Sequence, residues 1–97
     1  MALPKYRPPT HPGEILKYEF MEPLGITQTA LAQHLGCTRP AINEIINGKR
    51  GITPEMACKL ADAFGMSVEF WAGLQSDHDL WHALKKHKHI PKVQAVA

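Results

Sequence analysis

Residues 27–50, TQTALAQHLGCTRPAINEIINGKR, predict two short helices joined by a tight turn. Thr27 and Thr38 each precede a helix-forming run, and a threonine hydroxyl is a favourable N-cap. Gly36 ends the first helix, and Gly48 is a suitable left-handed C-cap for the second. Two helices in this arrangement are typical of a helix-turn-helix, whose second helix enters the major groove of DNA.

The second helix, predicted over residues 39–47, has one apolar and one polar face. At ~100° per residue, its three isoleucines (Ile42, Ile45 and Ile46) fall within an arc of ~100°. The opposite side points outward at four positions, which are Pro40, Asn43, Glu44 and Asn47. Arg39 lies beside this face at the N-terminal end, which is the end that a recognition helix brings to base edges.

The outward residues carry groups that match base edges. Arg39 can contact guanine O6 and N7 in bidentate fashion, and Asn43 can do the same for adenine. Pro40 and Ala41 can touch thymine methyl groups. Glu44 can accept a hydrogen bond from cytosine N4, or it can repel phosphate and tune the docking angle. The residue types therefore predict a base-reading surface.

Polar and basic residues flank this surface where phosphates would lie. Gln28 and Thr29 open the preceding helix, whose first-turn amides form an anion-binding end. Lys49 and Arg50 follow the reading helix and are expected to contact the DNA backbone. Spacing alone leaves two interpretations open, a DNA-binding motif and a helical bundle whose polar face is merely solvated.

Outside the motif, apolar spacing and capping residues predict further helices. The first is expected over residues 13–22. A fourth begins after the cap Thr53 and closes at Gly65. Ser67 caps a fifth, and residues 77–88 either continue it or form a sixth after a break. The pattern predicts an all-α protein.

Length and composition limit the number of domains and the classes of protein to which the chain can belong. With 97 residues, 44% of them hydrophobic, the chain is long enough for one domain and too short for two cores. The net charge of +2 is too small to decide for or against a nucleic-acid partner. Neither a signal-peptide centre nor the ~18 consecutive apolar residues of a membrane helix is present, so we expect a cytoplasmic protein. Two cysteines cannot build a disulfide framework.

Residues 27–50 resemble the helix-turn-helix of the phage-repressor-like (XRE, Cro/C1-type) family. Three flanking segments narrow the resemblance to the HigA/VapI branch of plasmid-maintenance antitoxins, namely HPGEIL at 11–16, NGKRGITPEMA at 47–57 and EFWAGLQ at 69–75. The resemblance extends over roughly residues 11–84, with the segments in the family's order. Pro40 and Glu44 depart from the family's usual residues on the reading face, which puts the operator sequence in doubt. Gly73 stands where relatives often have asparagine, and a glycine there is expected to loosen its helix.

The resemblance implies a phage-repressor-like five-helix bundle, with helices two and three forming the helix-turn-helix and a C-terminal helical extension. Residues 13–88 would form the single DNA-binding and dimerisation domain, between an extended or disordered arm (1–12) and a frayed tail (89–97). The resemblance also implies a homodimer that binds a palindromic operator and represses its own operon. It further implies that the protein neutralises a RelE-like (HigB-type) ribonuclease toxin by direct binding. The alternative is a repressor of the same family without a toxin partner.

The family's DNA contacts fall on eight positions of this sequence, which are Gln28, Thr29, Thr38, Arg39, Ala41, Asn43, Lys49 and Arg50. A two-fold pair of reading helices suits two half-sites about 34 Å apart on one face of DNA. Apolar residues of the C-terminal half are expected to form the dimer interface and the domain core between them, namely Phe70, Trp71, Leu74, Trp81 and Leu84.

Two rival functions are weaker. His78 and His82 are four residues apart and therefore share a helix face with Asp79 nearby, but no metal-binding motif accompanies them. No catalytic motif is present, so we expect neither an enzyme nor a cofactor.

Overall fold

Across residues 9–94, which are the residues it describes, the computed structural model contains five helices and no strand. They are α1 (12–24), α2 (Gln28–Leu35), α3 (Arg39–Ile46), α4 (Pro54–Phe64) and α5 (Val68–Lys86). The first is composite, with α-helical turns at Pro12–Ile15 and Glu22–Leu24 on either side of a π-helical stretch, Leu16–Met21. The prediction of an all-α fold is confirmed.

Helix α1 begins one residue earlier than predicted, because His11 caps it. The ring Nδ1 of His11 accepts a hydrogen bond from the amide of Gly13 at 2.9 Å. Pro12 occupies the first helical position, where a missing amide costs nothing. Pro12 is buried and helical, so placing it in an extended arm was wrong. Residues 1–8 of that predicted arm lie outside the described part of the chain.

Helix α1 also ends later than predicted. In its π-helical stretch the amide of Glu22 donates to the carbonyl of Lys17, five residues back. Pro23, which has no amide, follows this stretch and is carried within the last α-helical turn. The proline therefore changes the hydrogen-bond pattern without ending the helix, which runs on to Leu24.

Each of the other four helices begins at a predicted hydroxyl cap. In every case the side-chain oxygen accepts from the amide three residues ahead: Thr27 from Ala30 (3.1 Å), Thr38 from Ala41 (3.2 Å), Thr53 from Met56 (3.1 Å) and Ser67 from Phe70 (3.1 Å). A cap of this kind typically contributes ~1 kcal/mol to stability. These contacts fix the starts of α2 and α3, and so the geometry of the turn between them.

The core is a single cluster to which all five helices contribute a fully buried side chain: Leu16, Leu31, Ile42, Leu60 and Trp71. Phe20 and Phe64 pack their rings 5.0 and 6.3 Å from that of Trp71. An aromatic side chain typically buries about 150–250 Å². The apolar side of α3 is thereby held against the rest of the domain.

Helix α5 is continuous over 19 residues, which settles the choice between one long helix and two. Its later turns extend past the core, and the described chain after it, 87–94, is exposed and irregular. The Cα radius of gyration of 16.7 Å therefore exceeds the ~13 Å typical of a compact domain of this length. Within residues 9–94, no helix is both long and apolar enough to cross a membrane.

Candidate nucleic-acid interface

Helix α3 has one face in the core and the other available to a ligand. Ile42 and Ile45 are 0% and 1% exposed, whereas Arg39 and Pro40 at its start are exposed. The polar side of a short helix is thus presented at the surface with its N-terminal end accessible, which is the placement that major-groove reading requires.

The turn from α2 to α3 is closed by backbone hydrogen bonds. Gly36 adopts a left-handed conformation (φ 71°), which residues with a side chain rarely take up. The amide of Cys37 then donates to the carbonyl of Ala32 at 2.9 Å, and Thr38 caps the next helix. Hydrogen bonds between residues no more than five apart thus set the angle between the two helices.

A side-chain hydrogen bond also joins the two helices. Asn43 Nδ2 donates to Gln28 Oε1 at 3.2 Å, linking the middle of α3 to the first residue of α2. The sequence predicted separate roles for these residues, a base contact for Asn43 and a phosphate contact for Gln28. The structure brings them together, so each is oriented by the other, and each amide keeps its second polar atom outside this bond.

Glu44 and Arg50 form an ion pair at the C-terminal end of the reading helix. The Arg50 Nε and Nη2 atoms both lie 3.1 Å from Glu44 Oε2, and the side chains are 50% and 41% exposed. An exposed pair of this kind contributes little to stability, ~0–1 kcal/mol. It does offset the negative charge that Glu44 places on the reading face. Arg50 is therefore paired with this carboxylate in the unbound chain, and its contact with a phosphate stays a prediction.

Two predicted contact residues, Asn47 and Ala41, are engaged or buried by the domain itself. The Asn43 carbonyl accepts from both the backbone amide and the side-chain Nδ2 of Asn47, at 3.1 and 2.9 Å. Ala41 is 8% exposed, and its contact with a thymine methyl group stays a prediction. Among the other predicted DNA-contact residues, the structure exposes Thr29, Thr38, Arg39, Pro40 and Lys49.

The apolar residues predicted for the dimer interface divide between core and surface. Trp71 is 0% exposed and belongs to the core, which is one of the two roles expected for this set. Phe70 and Leu74 are partly buried against the same core. Trp81 is half-buried on α5, while Leu84 is 59% exposed. Leu80, which was not among the predicted interface residues, is 48% exposed one turn before Leu84.

Three histidine rings, those of His11, His78 and His82, lie close together where the start of α1 packs against α5. The rings of His78 and His82 have centroids 4.5 Å apart, and the ring of His11 lies 4.8 Å from that of His78. Asp79 Oδ1 is 3.9 Å from His78 Nδ1. In the described part of the chain, no group of three or more His, Cys, Asp or Glu residues has the geometry to hold a metal ion.

The environment of His11 disfavours its charged form. Desolvation lowers the pKa of His11 from its ordinary value of 6.5, and the neighbouring His78 lowers it further. Glu14 and Asp79 oppose this shift. A neutral ring also suits the cap, because Nδ1 must keep a lone pair to accept from Gly13.

One residue near the interface was not predicted. Gln75 Oε1, on α5, accepts from the backbone amide of Ile52 at 2.7 Å, in the loop that follows the reading helix. Its only sequence signal was membership of the segment EFWAGLQ (69–75), which carried the family resemblance but no role for the glutamine.

The chain is similar over most of its length to proteins named as antitoxins and helix-turn-helix transcriptional regulators. The helix-turn-helix family model HTH_3 matches residues 17–71. Antitoxin HigA-1 of Vibrio cholerae is 42% identical over 86 residues, covering 89% of this chain and 81% of that protein. The transcriptional regulator YbaQ of Escherichia coli, named as uncharacterized, is 38% identical over 94 residues, covering 94% of this chain and 83% of that protein.

A solved structure shares the fold. The structure of the Pseudomonas aeruginosa antitoxin HigA with the higBA promoter superposes with a TM-score of 0.79 at 37% identity. The superposition covers 88% of this chain and 99% of that one. Both the sequence and the arrangement of the five helices are thus similar to those of a promoter-bound protein.

Proposed function

The chain belongs to the HTH_3 helix-turn-helix family together with the HigA antitoxins, and on this premise we propose that it is an antitoxin that represses its own operon. It binds a palindromic operator as a homodimer and neutralises a toxin by direct contact. The role requires neither a catalytic centre nor a cofactor. A DNA-binding protein of this class works where the chromosome is accessible, so we place it in the cytoplasm.

The observation that carries the proposal is the exposed polar side of α3. Arg39 and Pro40 are exposed at its N-terminal end, and Lys49 and Arg50 are exposed beyond its C-terminal end. The proposed base-reading residues at the start of α3 are thus followed, beyond its end, by basic residues suited to phosphates. The promoter-bound HigA of Pseudomonas aeruginosa, with a TM-score of 0.79, supports the same use of the motif.

Binding as a dimer follows from the size of the reading helix. Helix α3 has eight residues and is therefore about 12 Å long, enough for one major groove. A two-fold pair reads two grooves about 34 Å apart. We place the interface on the later turns of α5, where Leu80 and Leu84 are 48% and 59% exposed one turn apart, with the exposed part of Trp81 beside them.

The partner toxin is proposed from the family. HigA-1 of Vibrio cholerae is named an antitoxin, and the resemblance noted above implies a RelE-like ribonuclease as the partner. The similarity to YbaQ, named as a transcriptional regulator, favours a second candidate, a repressor that acts without a toxin. Co-expression of the chain with the neighbouring reading frame separates the two: a stable complex and relief of growth arrest support the antitoxin.

Operator binding is tested by fluorescence anisotropy with duplex from upstream of the chain's own reading frame. We expect specific binding at nanomolar concentration, at least a thousandfold tighter than to a scrambled duplex of equal length, which is the specificity typical of such proteins. Sedimentation of the same sample should show two protomers per duplex. Equal affinity for both duplexes would contradict a repressor, and one protomer per duplex would contradict the dimer.

A further inference from the structure

We propose that Gln75 is a positioning residue for DNA binding, because it holds the loop that carries Lys49 and Arg50. We call residues 47–53 the contact loop. The inference rests on the proposed function and extends it to a residue on α5, a helix remote in sequence from the reading motif. Gln75 acts through the loop and does not itself touch DNA.

Both polar atoms of the Gln75 side chain are engaged. Its Oε1 accepts from the Ile52 amide at 2.7 Å, and its Nε2 donates to Asp79 Oδ1 at 2.8 Å. The orientation of the amide is fixed by chemistry, since a backbone N–H can only donate and a carboxylate can only accept. Asp79, one turn further along α5, therefore locks Gln75 in the orientation that the loop requires.

The contact loop is held at two places. At its start the carbonyl oxygen of Glu44 accepts from the amides of Lys49 and Arg50, at 2.8 and 3.2 Å. At its end Gln75 holds the amide of Ile52, whose side chain is 5% exposed in the core. The two exposed basic residues are themselves held at the first anchor, and only Gly51 separates them from the second.

The segment between the anchors is in close contact with Gln75. A Cβ atom added to Gly51 would lie 3.0 Å from the Gln75 side-chain Cδ and Nε2 atoms. The loop backbone thus rests on the side-chain amide as well as bonding to it. A loop fixed in this way loses less conformational entropy when its basic residues engage phosphates, so binding is stronger than with a free loop.

The test exchanges the two ends of the Gln75–Asp79 bond. In Gln75→Glu the loop keeps an acceptor, but two carboxylates now face each other where Nε2 and Oδ1 were 2.8 Å apart. Adding Asp79→Asn restores a donor at position 79 and returns the net charge to that of the parent. Ser76→Glu is the control for charge, because Ser76 is the exposed neighbour of Gln75 on α5.

Operator affinity is measured by anisotropy at several KCl concentrations, with the melting temperature of each variant recorded by circular dichroism. We expect Gln75→Glu to bind about three- to tenfold more weakly than Ser76→Glu, as for the loss of one hydrogen bond. The dependence of log K on log salt should flatten by up to about one unit, since the basic residues engage phosphates less well. The double variant should recover both quantities.

Two results would overturn the inference while the parent still binds its operator. One is a Gln75→Glu variant with the affinity and salt slope of Ser76→Glu. The other is a loss of affinity that accompanies a lower melting temperature, leaves the salt slope unchanged and is not recovered by Asp79→Asn, which would give Gln75 a purely structural role. Failure of the parent itself to prefer its operator would instead overturn the proposed function, and the DNA role of Gln75 with it.

Discussion

Gly13 at the start of α1 lies against the carbonyl oxygen of Ile45 in α3, so closely that a Cβ atom on Gly13 would overlap it. The first helix therefore rests directly on the backbone of the reading helix. Ile45 is 1% exposed and its backbone is part of a hydrogen-bonded helix. Moving either helix backbone to make room for a Cβ atom would therefore cost packing energy.

The contact predicts that Gly13→Ala destabilises the domain. Overpacking usually costs ~1–3 kcal/mol, and we expect the upper part of that range, with α3 displaced. Chemical denaturation followed by circular dichroism measures the change in free energy of unfolding. A variant as stable as the parent would show that α1 does not press on α3.

At Gly73, replacing glycine by alanine is expected to stabilise the domain, in contrast to Gly13. It lies inside α5, and a Cβ atom added there meets no other atom within 4 Å. Glycine in a helix interior costs ~1 kcal/mol relative to alanine, so Gly73→Ala should raise the free energy of unfolding by about that amount. A fall in stability would place a neighbouring surface, such as the second protomer, against this position.

Protonation of His11 should weaken the fold. The pKa of His11 is lowered in the native state, chiefly by desolvation, so the unfolded chain binds a proton more readily between that value and 6.5. Stability is therefore complete above pH 6.5 and falls as the pH drops below it. His11→Asn keeps an oxygen that can cap Gly13 but does not titrate. We expect its melting temperature to fall less than that of the parent between pH 7 and pH 5; parallel curves would contradict the assignment.

Arg39 should contribute to operator sequence preference. Arg39→Ala is expected to weaken operator binding by about 1–3 kcal/mol and to relax the preference at one base pair. Arg39→Lys is the matched control, since it keeps the positive charge but loses the bidentate geometry. Anisotropy titrations with single-base operator variants measure both effects. A preference unchanged at every base in Arg39→Ala would exclude Arg39 from base reading.

Lys49 should contribute affinity without sequence preference. In Lys49→Ala we expect operator and scrambled duplexes to lose similar affinity, with the slope of log K against log salt reduced by about one unit. Lys88→Ala, an exposed lysine beyond the end of α5, controls for net charge. If Lys49→Ala and Lys88→Ala have the same effect, Lys49 does not engage a phosphate.

Sequence reasoning succeeded where the cause was local. The caps at Thr27, Thr38, Thr53 and Ser67 involve only the amide three residues ahead, so residue type and position sufficed. Contacts between distant segments were missed, because spacing in one helix carries no signal for them. Gln75 meets Ile52 across 23 residues of chain.

Helix α3 has both a feature that the sequence predicted and features that depend on the rest of the fold. Its apolar side was identified correctly from periodicity at Ile42 and Ile45. Ala41 lies at the border of the two faces, and packing against the rest of the domain decides its burial. The pairing of Glu44 with Arg50 depends on how the chain turns after α3, which the sequence around Gly48 indicated only as a helix end.

The most direct test is an amide NMR titration of the isotope-labelled chain with the duplex from its own upstream region. The account predicts that the largest shift changes fall in residues 28–50, at the start of α2, along α3 and at Lys49 and Arg50. Amides in the middle of α4 should change little. Shift changes confined to α4 and α5, with the amides of Arg39–Ile46 unperturbed, would contradict it.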